Sequence, residues 1–407
     1  MDYGLIGGLL GYSYSKMIHE QLGLCSYENY VVTPDGLEDF IKTANLKGFN
    51  VTAPHKENII KYLAELSPLA KRIGSVNTVV RRNGELIGYN TDYYGLKYAL
   101  EKTGVTVKDK SVLILGSGGT MKTARCLFED LGAKKITVVS RGGPINYQNV
   151  YDQTDTQVVV NTTPVGTHPR GEDVLVDLKK FPRLEGVFDV VYNPLMTRLL
   201  FDAHLLGVKY GGGIRMLVAQ AVFAEEIFLD KSIDKNIIEK TVRRLIKEIK
   251  NIVLVGMPGS GKTTLGKMIA KSKNMPLIDT DAEICSENAM TVEEIFNKFS
   301  EEGFRKMERE ALLKAAQQRG AVIATGGGVV KDENNKFPLW QNGTVYYIDR
   351  DLSLLETEGR PLSSVKKNVA LYKERHGLYL DFAHVTVKND SLEKALEEIL
   401  NYEDTRY

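Results

Sequence analysis

Residues with chemical potential cluster in two stretches. The first is Gly256-Met257-Pro258-Gly259-Ser260-Gly261-Lys262-Thr263-Thr264, which follows the apolar run Asn251 to Val255 and fits G-x-x-x-x-G-K-T, a phosphate-binding loop. Glycines there let backbone N–H groups approach phosphate oxygens without a Cβ in the way. A helix starting at Lys262 adds the positive end of its dipole. Lys262 is suited to the β- and γ-phosphates and Thr263 to Mg2+. Downstream, Leu277-Ile278-Asp279-Thr280-Asp281 sets two carboxylates two residues apart at a strand end, a spacing that turns both the same way. One would hold Mg2+ through water and the other a substrate hydroxyl. The apolar segment from Ala321 ends in Gly326-Gly327-Gly328, a turn whose amides can contact a small ligand. Arg305, Arg360 and Arg375 are cations able to clamp a carboxylate or phosphoryl group.

The second stretch lies upstream. Ser111 to Leu115 reads as a buried strand, Gly116-Ser117-Gly118-Gly119 as a glycine loop, and the residues to Leu131 as a helix. With the next strand, Lys135 to Ser140, these form a βαβ unit of the dinucleotide-binding kind, although the third glycine of the usual fingerprint is absent. The second strand ends in Ser140-Arg141. A cation there, in place of an acid, suits the 2′-phosphate of NADP. Gly48 to Lys56, Ile73 to Thr78 and Gly88 to Asp92 are polar segments at strand ends. Their Asn, Thr, Lys and Asp side chains can hydrogen-bond a polyol and supply an acid–base pair. Taken singly, each is a weak signal: a lone Lys56, Arg305 or Arg375 is usually a surface residue.

These residues need elements to hold them. The chain has 407 residues, 43% hydrophobic and 26% charged, which predicts two or three soluble α/β domains. Residues 1–100, joined by about 214–248, are expected to form one α/β domain. Residues 101–213 form a Rossmann-like domain, and 251–407 a P-loop domain with a parallel sheet. Two further strands are expected at Gln157 to Asn161 and Val187 to Tyr192. Gly211-Gly212-Gly213 marks a break, followed by one long helical region from about Ile214 to Lys250. No Gly/Ser- or Pro-rich linker marks the junction before the P-loop strand. The net charge of +1 provides no field for nucleic acid or membrane. No apolar run is long enough to span a bilayer. Met1-Asp2-Tyr3-Gly4 shows no basic leader, and the three cysteines, Cys25, Cys126 and Cys285, form no C-x-x-C pair. Both features predict a cytoplasmic protein. The six histidines show no ligand spacing, so no structural metal site is expected.

Taken jointly, G-x-x-G-S-G-K-T-T-x-G, D-T-D, F-R-x-x-E, G-G-G-V-V and R-P-L make residues 251 to about 400 resemble shikimate kinase. The resemblance implies Gly256, Gly259, Ser260, Gly261, Lys262, Thr263 and Thr264 as ATP contacts, and Thr263 and Asp279 as Mg2+ positions. It implies Asp281, Arg305, Gly327, Gly328 and Arg375 as shikimate contacts, and Arg360 as the arginine that closes over the transferring phosphoryl group. Lys262, Asp281 and Arg360 are the implied catalytic residues. The segment between Asp349 and Arg360 is shorter than in that family, and Ser363 replaces a usual leucine.

Residues 1 to about 245 resemble shikimate dehydrogenase. The resemblance rests on Gly48 to Lys56, Ile73 to Thr78, Asn90-Thr91-Asp92, Gly116 to Gly119, Asn161-Thr162-Thr163-Pro164-Val165-Gly166, Asp189 to Pro194 and Gly213-x-x-Met216-Leu217-x-x-Gln220. It implies Lys56 and Asp92 as the catalytic pair, and Ser13, Ser15, Thr52, Asn77, Tyr192 and Gln220 as substrate contacts. Gly116, Ser117, Gly118, Gly119, Ser140, Arg141, Thr162 and Gly213 would lie at NADP(H). The family's H-S-x-S-P loop here reads Tyr12-Ser13-Tyr14-Ser15-Lys16.

Together the two resemblances imply a bifunctional enzyme that reduces 3-dehydroshikimate with NADPH and phosphorylates the product with ATP and Mg2+. Its partners would be small molecules, neither nucleic acid nor membrane, with a homodimer left open. Two other readings stand beside it. One is a quinate-accepting dehydrogenase joined to a small-molecule kinase. In the other, one half is a non-catalytic binding module.

Overall fold

The computed structural model describes residues 2–11, 13–355 and 365–406. The chain divides into two compact units, Met1–Arg243 and Arg244–Tyr407.

The first unit holds two sheets. One contains β1 (Tyr3–Gly7), β2 (Tyr27–Val31), β3 (Gly48–Val51), β4 (Glu65–Leu66), β5 (Thr78–Arg82) and β6 (Glu85–Tyr89) in the order β2-β1-β3-β5-β6-β4. It is mixed: β1 runs parallel to β2 and β3, whereas β5 is antiparallel to β3 and β6. The other contains β7 (Ser111–Leu115), β8 (Lys135–Val139), β9 (Val158–Asn161), β10 (Gly186–Asp189) and β11 (Lys209–Gly212) in the order β11-β10-β9-β7-β8, every pairing parallel. Alternation along a strand sends its side chains to opposite faces. Val112, Ile114, Val158 and Val160 enter one core with Leu127 and Phe128 of the helix Gly119–Asp130. Leu113, Leu115 and Val159 enter another with Leu199, Leu200 and Ala203 of the helix Arg198–Leu205. A sheet covered on both faces needs continuous apolar strands, and for that reason Ser111–Leu115 is buried throughout.

The second unit has one parallel sheet: β12 (Asn251–Val255), β13 (Leu277–Asp279), β14 (Val322–Ala324), β15 (Gly343–Asp349) and β16 (Val385–Lys388), ordered β13-β14-β12-β15-β16. Here too the faces separate. Val253, Val255, Ile323, Val345 and Tyr347 pack on one side, and Ile252, Leu254, Val322, Tyr346 and Ile348 on the other.

The structure corrects three local expectations. The region 214–250 is two helices, Ile214–Leu229 and Asn236–Ile249, because Asp230 adopts the left-handed conformation at φ 51° and ends the first. Gly211 and Gly212 belong to the fifth strand, β11, and do not form a break. Asp279 closes β13 while Asp281 lies in the first turn of the helix Thr280–Asn288, so strand alternation does not relate the two carboxylates. Downstream, the helical stretch Val292–Ala316 is interrupted at Ser300 (φ 65°, ψ 176°), a backbone region that glycine normally occupies. Arg305 follows that break by five residues.

Candidate active sites

In the first unit, Lys56 lies in the short helix His55–Asn58 just after β3, and Asp92 is the first residue of the helix Asp92–Thr103. Lys56 Nζ donates to Asp92 Oδ2 at 2.6 Å, with side chains 17% and 8% exposed. The helix N-terminus favours negative charge on Asp92. Its other oxygen, Oδ1, accepts from Asn77 Nδ2 at 3.0 Å, and the same nitrogen lies 3.0 Å from Thr91 Oγ1 and 3.2 Å from Gln220 Oε1. Lys56 Nζ also lies 3.5 Å from Thr120 Oγ1, in the first turn of the helix that follows the glycine loop. Gln220 comes from the helix Ile214–Leu229, which runs hard against the helix Asp92–Thr103. A Cβ on Gly95 would meet Met216 O at 2.6 Å and Gln220 Cβ at 2.9 Å. The absent side chain at position 95 thus lets Gln220 reach the Asn77 network.

Ser13, Ser15 and Tyr192 form a second group. Ser13 Oγ is 3.2 Å from both Ser15 Oγ and Ser15 N. Tyr14 packs on Tyr192 with ring centroids 5.4 Å apart. Burial pushes the Tyr192 phenol up to about 12. Thr52 follows β3, with its backbone N–H donating to Ile6 O. Lys16 is held by Glu28, its Nζ 2.8 Å from Oε2, and so is already paired.

The dinucleotide loop sits where the parallel sheet reverses its winding, between β7 and β9, at the strands' C-terminal ends. That is where open α/β sheets bind ligands. Gly116 (φ 117°) leaves β7 against Thr162 Oγ1, which a Cβ would meet at 2.8 Å. Thr162 Oγ1 in turn donates to Leu115 O at 2.7 Å. Ser117 and Gly118 are exposed, and Gly118 opens the helix Gly119–Asp130. Ser140 is half-buried and Arg141 exposed just past β8. Gly213 is packed against the Val190 carbonyl, where a Cβ would clash. The turns after β9 and β10 are joined through buried Asp189. Its Oδ1 accepts from Asn161 Nδ2 (2.9 Å) and Val191 N (3.0 Å), and its Oδ2 from Thr197 Oγ1 (2.7 Å). Burial raises this carboxyl to about 7.

In the second unit the P-loop joins β12 to the helix Lys262–Lys273, with Gly256, Gly259 and Gly261 all at positive φ. Lys262 Nζ donates to Gly256 O and Met257 O, both at 3.0 Å. Ser260 is buried, and Thr263 and Thr264 are exposed in the first helical turn. Thr263 Oγ1 donates to Asp279 Oδ2 at 2.7 Å, while Asp279 Oδ1 caps the next helix through Ala282 N. The hydroxyl and carboxylate suited to Mg2+ are therefore adjacent. Asn389 Nδ2 supports the loop from outside, 2.7 Å from Ser260 O.

Facing the P-loop, the glycine turn 326–328 gathers the remaining candidates. A Cβ on Gly327 would meet Pro258 of the P-loop at 2.6 Å, one on Gly326 would meet Asp281 Oδ1 and Glu308 Oε1 at 2.5 Å, and one on Gly328 would enter the Arg305 guanidinium. Arg305 Nη1 donates to Glu308 Oε2 at 2.7 Å. Buried Arg375 donates from Nη1 to Gly327 O at 3.0 Å, and Tyr379 OH donates to the same oxygen at 2.5 Å. Burial, with Glu308 beside it, raises Asp281 to about 6. Asp281 Oδ1, Glu308 Oε1, Arg305 Nε, Arg375 Nε and Ser260 Oγ are buried without hydrogen-bond partners. Orphaned acceptors and donors on one turn beside a P-loop suit a ligand carrying both hydroxyls and an anionic group. Arg360 and Ser363 lie outside the described residues.

Sequence reading did not assign Thr78, Thr91, Thr120, Glu308 or Tyr379 to either site. Thr91 and Glu308 sit inside the motifs already recognised. Tyr379 is four residues from Arg375, one helical turn on, and that spacing was the available signal.

Two nucleotide-dependent enzymes thus follow one another in the sequence: a dinucleotide-type oxidoreductase with a Lys–Asp couple, then a small-molecule kinase. The chain belongs to the shikimate dehydrogenase family, and its C-terminal part is a shikimate kinase domain. Residues 5–79 match the shikimate dehydrogenase substrate binding domain and residues 258–402 match shikimate kinase. The shikimate dehydrogenase (NADP(+)) of Clostridium perfringens strain SM101 is 36% identical over 265 residues, covering 58% of this chain and 97% of that protein. The crystal structure of shikimate dehydrogenase 1 from Peptoclostridium difficile superposes with TM-score 0.58 at 33% identity, covering 60% of this chain and 98% of that one. The Thermus thermophilus shikimate 5-dehydrogenase, solved with NADP(H) and shikimate, has TM-score 0.53 at 29% identity, covering 60% and 99%. No helix among the described residues is long and apolar enough to cross a membrane.

Proposed function

We propose that this chain carries out two consecutive steps, NADPH-dependent reduction of 3-dehydroshikimate to shikimate and ATP-dependent phosphorylation of shikimate to shikimate 3-phosphate. The observation that carries the proposal is the pairing of sites: the Lys56–Asp92 couple beside a dinucleotide loop, and the Asp281–Arg305–Arg375 cluster on a glycine turn beside a P-loop. The product of the first is the substrate of the second.

In the dehydrogenase, Ser13, Ser15, Thr52, Asn77, Tyr192 and Gln220 hold the substrate's hydroxyls and carboxylate. Lys56 delivers a proton to the carbonyl oxygen as the carbon is reduced, Asp92 orients the amine, and the amine regains its proton from solvent. When bound, NADPH would supply the hydride, and Gly116, Ser117, Gly118, Gly119, Ser140, Arg141, Thr162 and Gly213 would hold it. In this reading the sheet with β1 to β6 and the helix Ile214–Leu229 form the substrate domain, and the sheet with β7 to β11 the cofactor domain.

In the kinase, Arg305 and Arg375 clamp the shikimate carboxylate, and Asp281 accepts a hydrogen bond from the attacking hydroxyl and takes its proton. Gly327 and Gly328 let Pro258 of the P-loop and the Arg305 guanidinium close on the turn that meets the ring. Lys262 and the P-loop amides would hold the phosphates, and Thr263 and Asp279 would hold Mg2+. ATP supplies the phosphoryl group when bound, with Mg2+ offsetting its charge. Positioning and charge stabilisation account for most of such a transfer. Substrates of this kind, with NADPH and ATP, suit a cytoplasmic location.

The test is product identification by mass after incubating the purified chain with 3-dehydroshikimate and NADPH, with and without ATP–Mg2+. Shikimate without ATP and shikimate 3-phosphate with it are expected. Shikimate alone in both samples rejects the kinase assignment, and no reduction in either rejects the dehydrogenase assignment.

A further inference from the structure

We infer that His19, Cys25 and Glu225 form a binding site for one divalent cation of the Zn2+ class. The donors come from three places: His19 from the helix Ser15–Leu22, Cys25 from the loop before β2, and Glu225 from the helix Ile214–Leu229. One ligand atom from each lies within 4.8 Å of the others. His19 Nδ1 is 2.8 Å and Cys25 Sγ 3.5 Å from Glu225 Oε1. Bonds of about 2.0–2.3 Å to N, O and S in a tetrahedron put donor atoms about 3.3–3.7 Å apart. The sulfur–oxygen separation already fits, and the nitrogen–oxygen one needs to widen by about half an ångström.

Burial supplies the second argument. His19 and Glu225 have fully buried side chains, yet Glu225 Oε2, beside the cluster, has no hydrogen-bond partner. Buried polar atoms are rarely left so. The His19 ring is also fixed, stacked on Tyr27 at 3.8 Å, and Tyr27 OH donates to Asn50 Oδ1 at 2.7 Å. Stacking holds the imidazole with Nδ1 turned toward Glu225 Oε1. Cys25 is half-buried, which leaves a route from solvent. The donor set of thiolate, imidazole and carboxylate selects Zn2+ or Co2+ over Mg2+ or Ca2+.

On binding, the Cys25 Sγ–H bond breaks, the Sγ–metal bond forms and that proton leaves to solvent, while the imidazole proton, which donates from Nδ1 to Glu225 Oε1 in the empty site, moves to Nε2 and frees the Nδ1 lone pair for the metal. No oxidation accompanies the step. The site would join the helix that begins at Ser15 to the helix that carries Gln220, and so steady two elements of the dehydrogenase site without touching the reacting atoms.

The test uses the full chain, stripped with a chelator and titrated with Co2+ in the absence of ATP. One equivalent should bind with a thiolate-to-cobalt charge-transfer absorption, be displaced by Zn2+, and raise the melting temperature of the first unit. Cys25→Ser should abolish the band, Glu225→Gln should weaken binding by about 100-fold or more, and Cys126→Ser and Cys285→Ser should leave the band intact. No band in the parent chain overturns the inference however the variants fold. So does a band that survives Cys25→Ser or disappears with Cys285→Ser.

Discussion

Lys56 Nζ lies 2.6 Å from Asp92 Oδ2, and this ion pair joins the strand-end segment after β3 to the first turn of the helix Asp92–Thr103. A lysine so placed can lose and regain a proton at one atom while the carboxylate fixes its direction. Lys56→Met and Asp92→Asn should each lower the dehydrogenase kcat by about 100- to 10,000-fold. The kinase rate, measured on the same preparations with shikimate supplied, should stay at the parent value. Equal loss in both assays would point instead to general misfolding.

The kinase should show an acid limb set by Asp281. Its carboxyl is raised to about 6 by burial first and by Glu308 second, and it acts in the ionised form. Below pH about 6, kcat/KM for shikimate should fall about tenfold per pH unit. A profile that stays flat down to pH 5, with ATP saturating, contradicts the assigned role.

Asp189 makes a prediction about stability. Its folded-state value, about 7, lies above the ordinary 3.8, so between these values the native state binds more protons than the unfolded one. Its contribution is then fully present below pH about 4 and is lost as pH rises through 7. The loss is on the order of a few kcal/mol, because the group is buried. Denaturation midpoints of the isolated transition of the first unit should therefore fall from pH 5 to pH 8, and Asp189→Asn should flatten that slope. An unchanged slope in the variant removes Asp189 as its source.

Gly328 bounds the space in which the Arg305 guanidinium sits. The flexible end of Arg305 can move aside for a methyl group, so Gly328→Ala should fold normally. Displacing a charge-assisted contact worth about 1.5–3 kcal/mol should raise the KM for shikimate by about 10- to 100-fold while leaving the KM for ATP alone. A drop in melting temperature with no change in either KM would show that the turn serves packing only.

Much of this was legible in the chain because it is written locally. A P-loop is a run of adjacent residues whose glycines and lysine serve one phosphate. The strands Ser111–Leu115 and Asn251–Val255 are buried along their whole length and apolar after their first residue, because both faces are covered. The strand β11 was not legible. Lys209-Tyr210-Gly211-Gly212 has little apolar character, and it is a strand because β10 offers it a paired edge. The division of 214–250 into two helices turns on one residue, Asp230, whose left-handed backbone has no marker such as glycine.

By itself, then, the sequence determined the two nucleotide-binding loops, the doubly covered sheets and the set of residues able to serve as acid, base and anion clamp, since residue type and short spacing carry that information. Tertiary structure alone decided which of them meet. It brought Gln220 to Asn77 across 143 positions through the close approach at Gly95, and set Asp281 and Glu308 together against Gly326 of the glycine turn. It also placed Glu225 beside His19, 206 positions away, in a cluster that ligand spacing along the chain could not reveal. Contacts made by packing helices and sheets depend on where a Cβ is absent and which face is buried, and neither is a property of neighbouring residues.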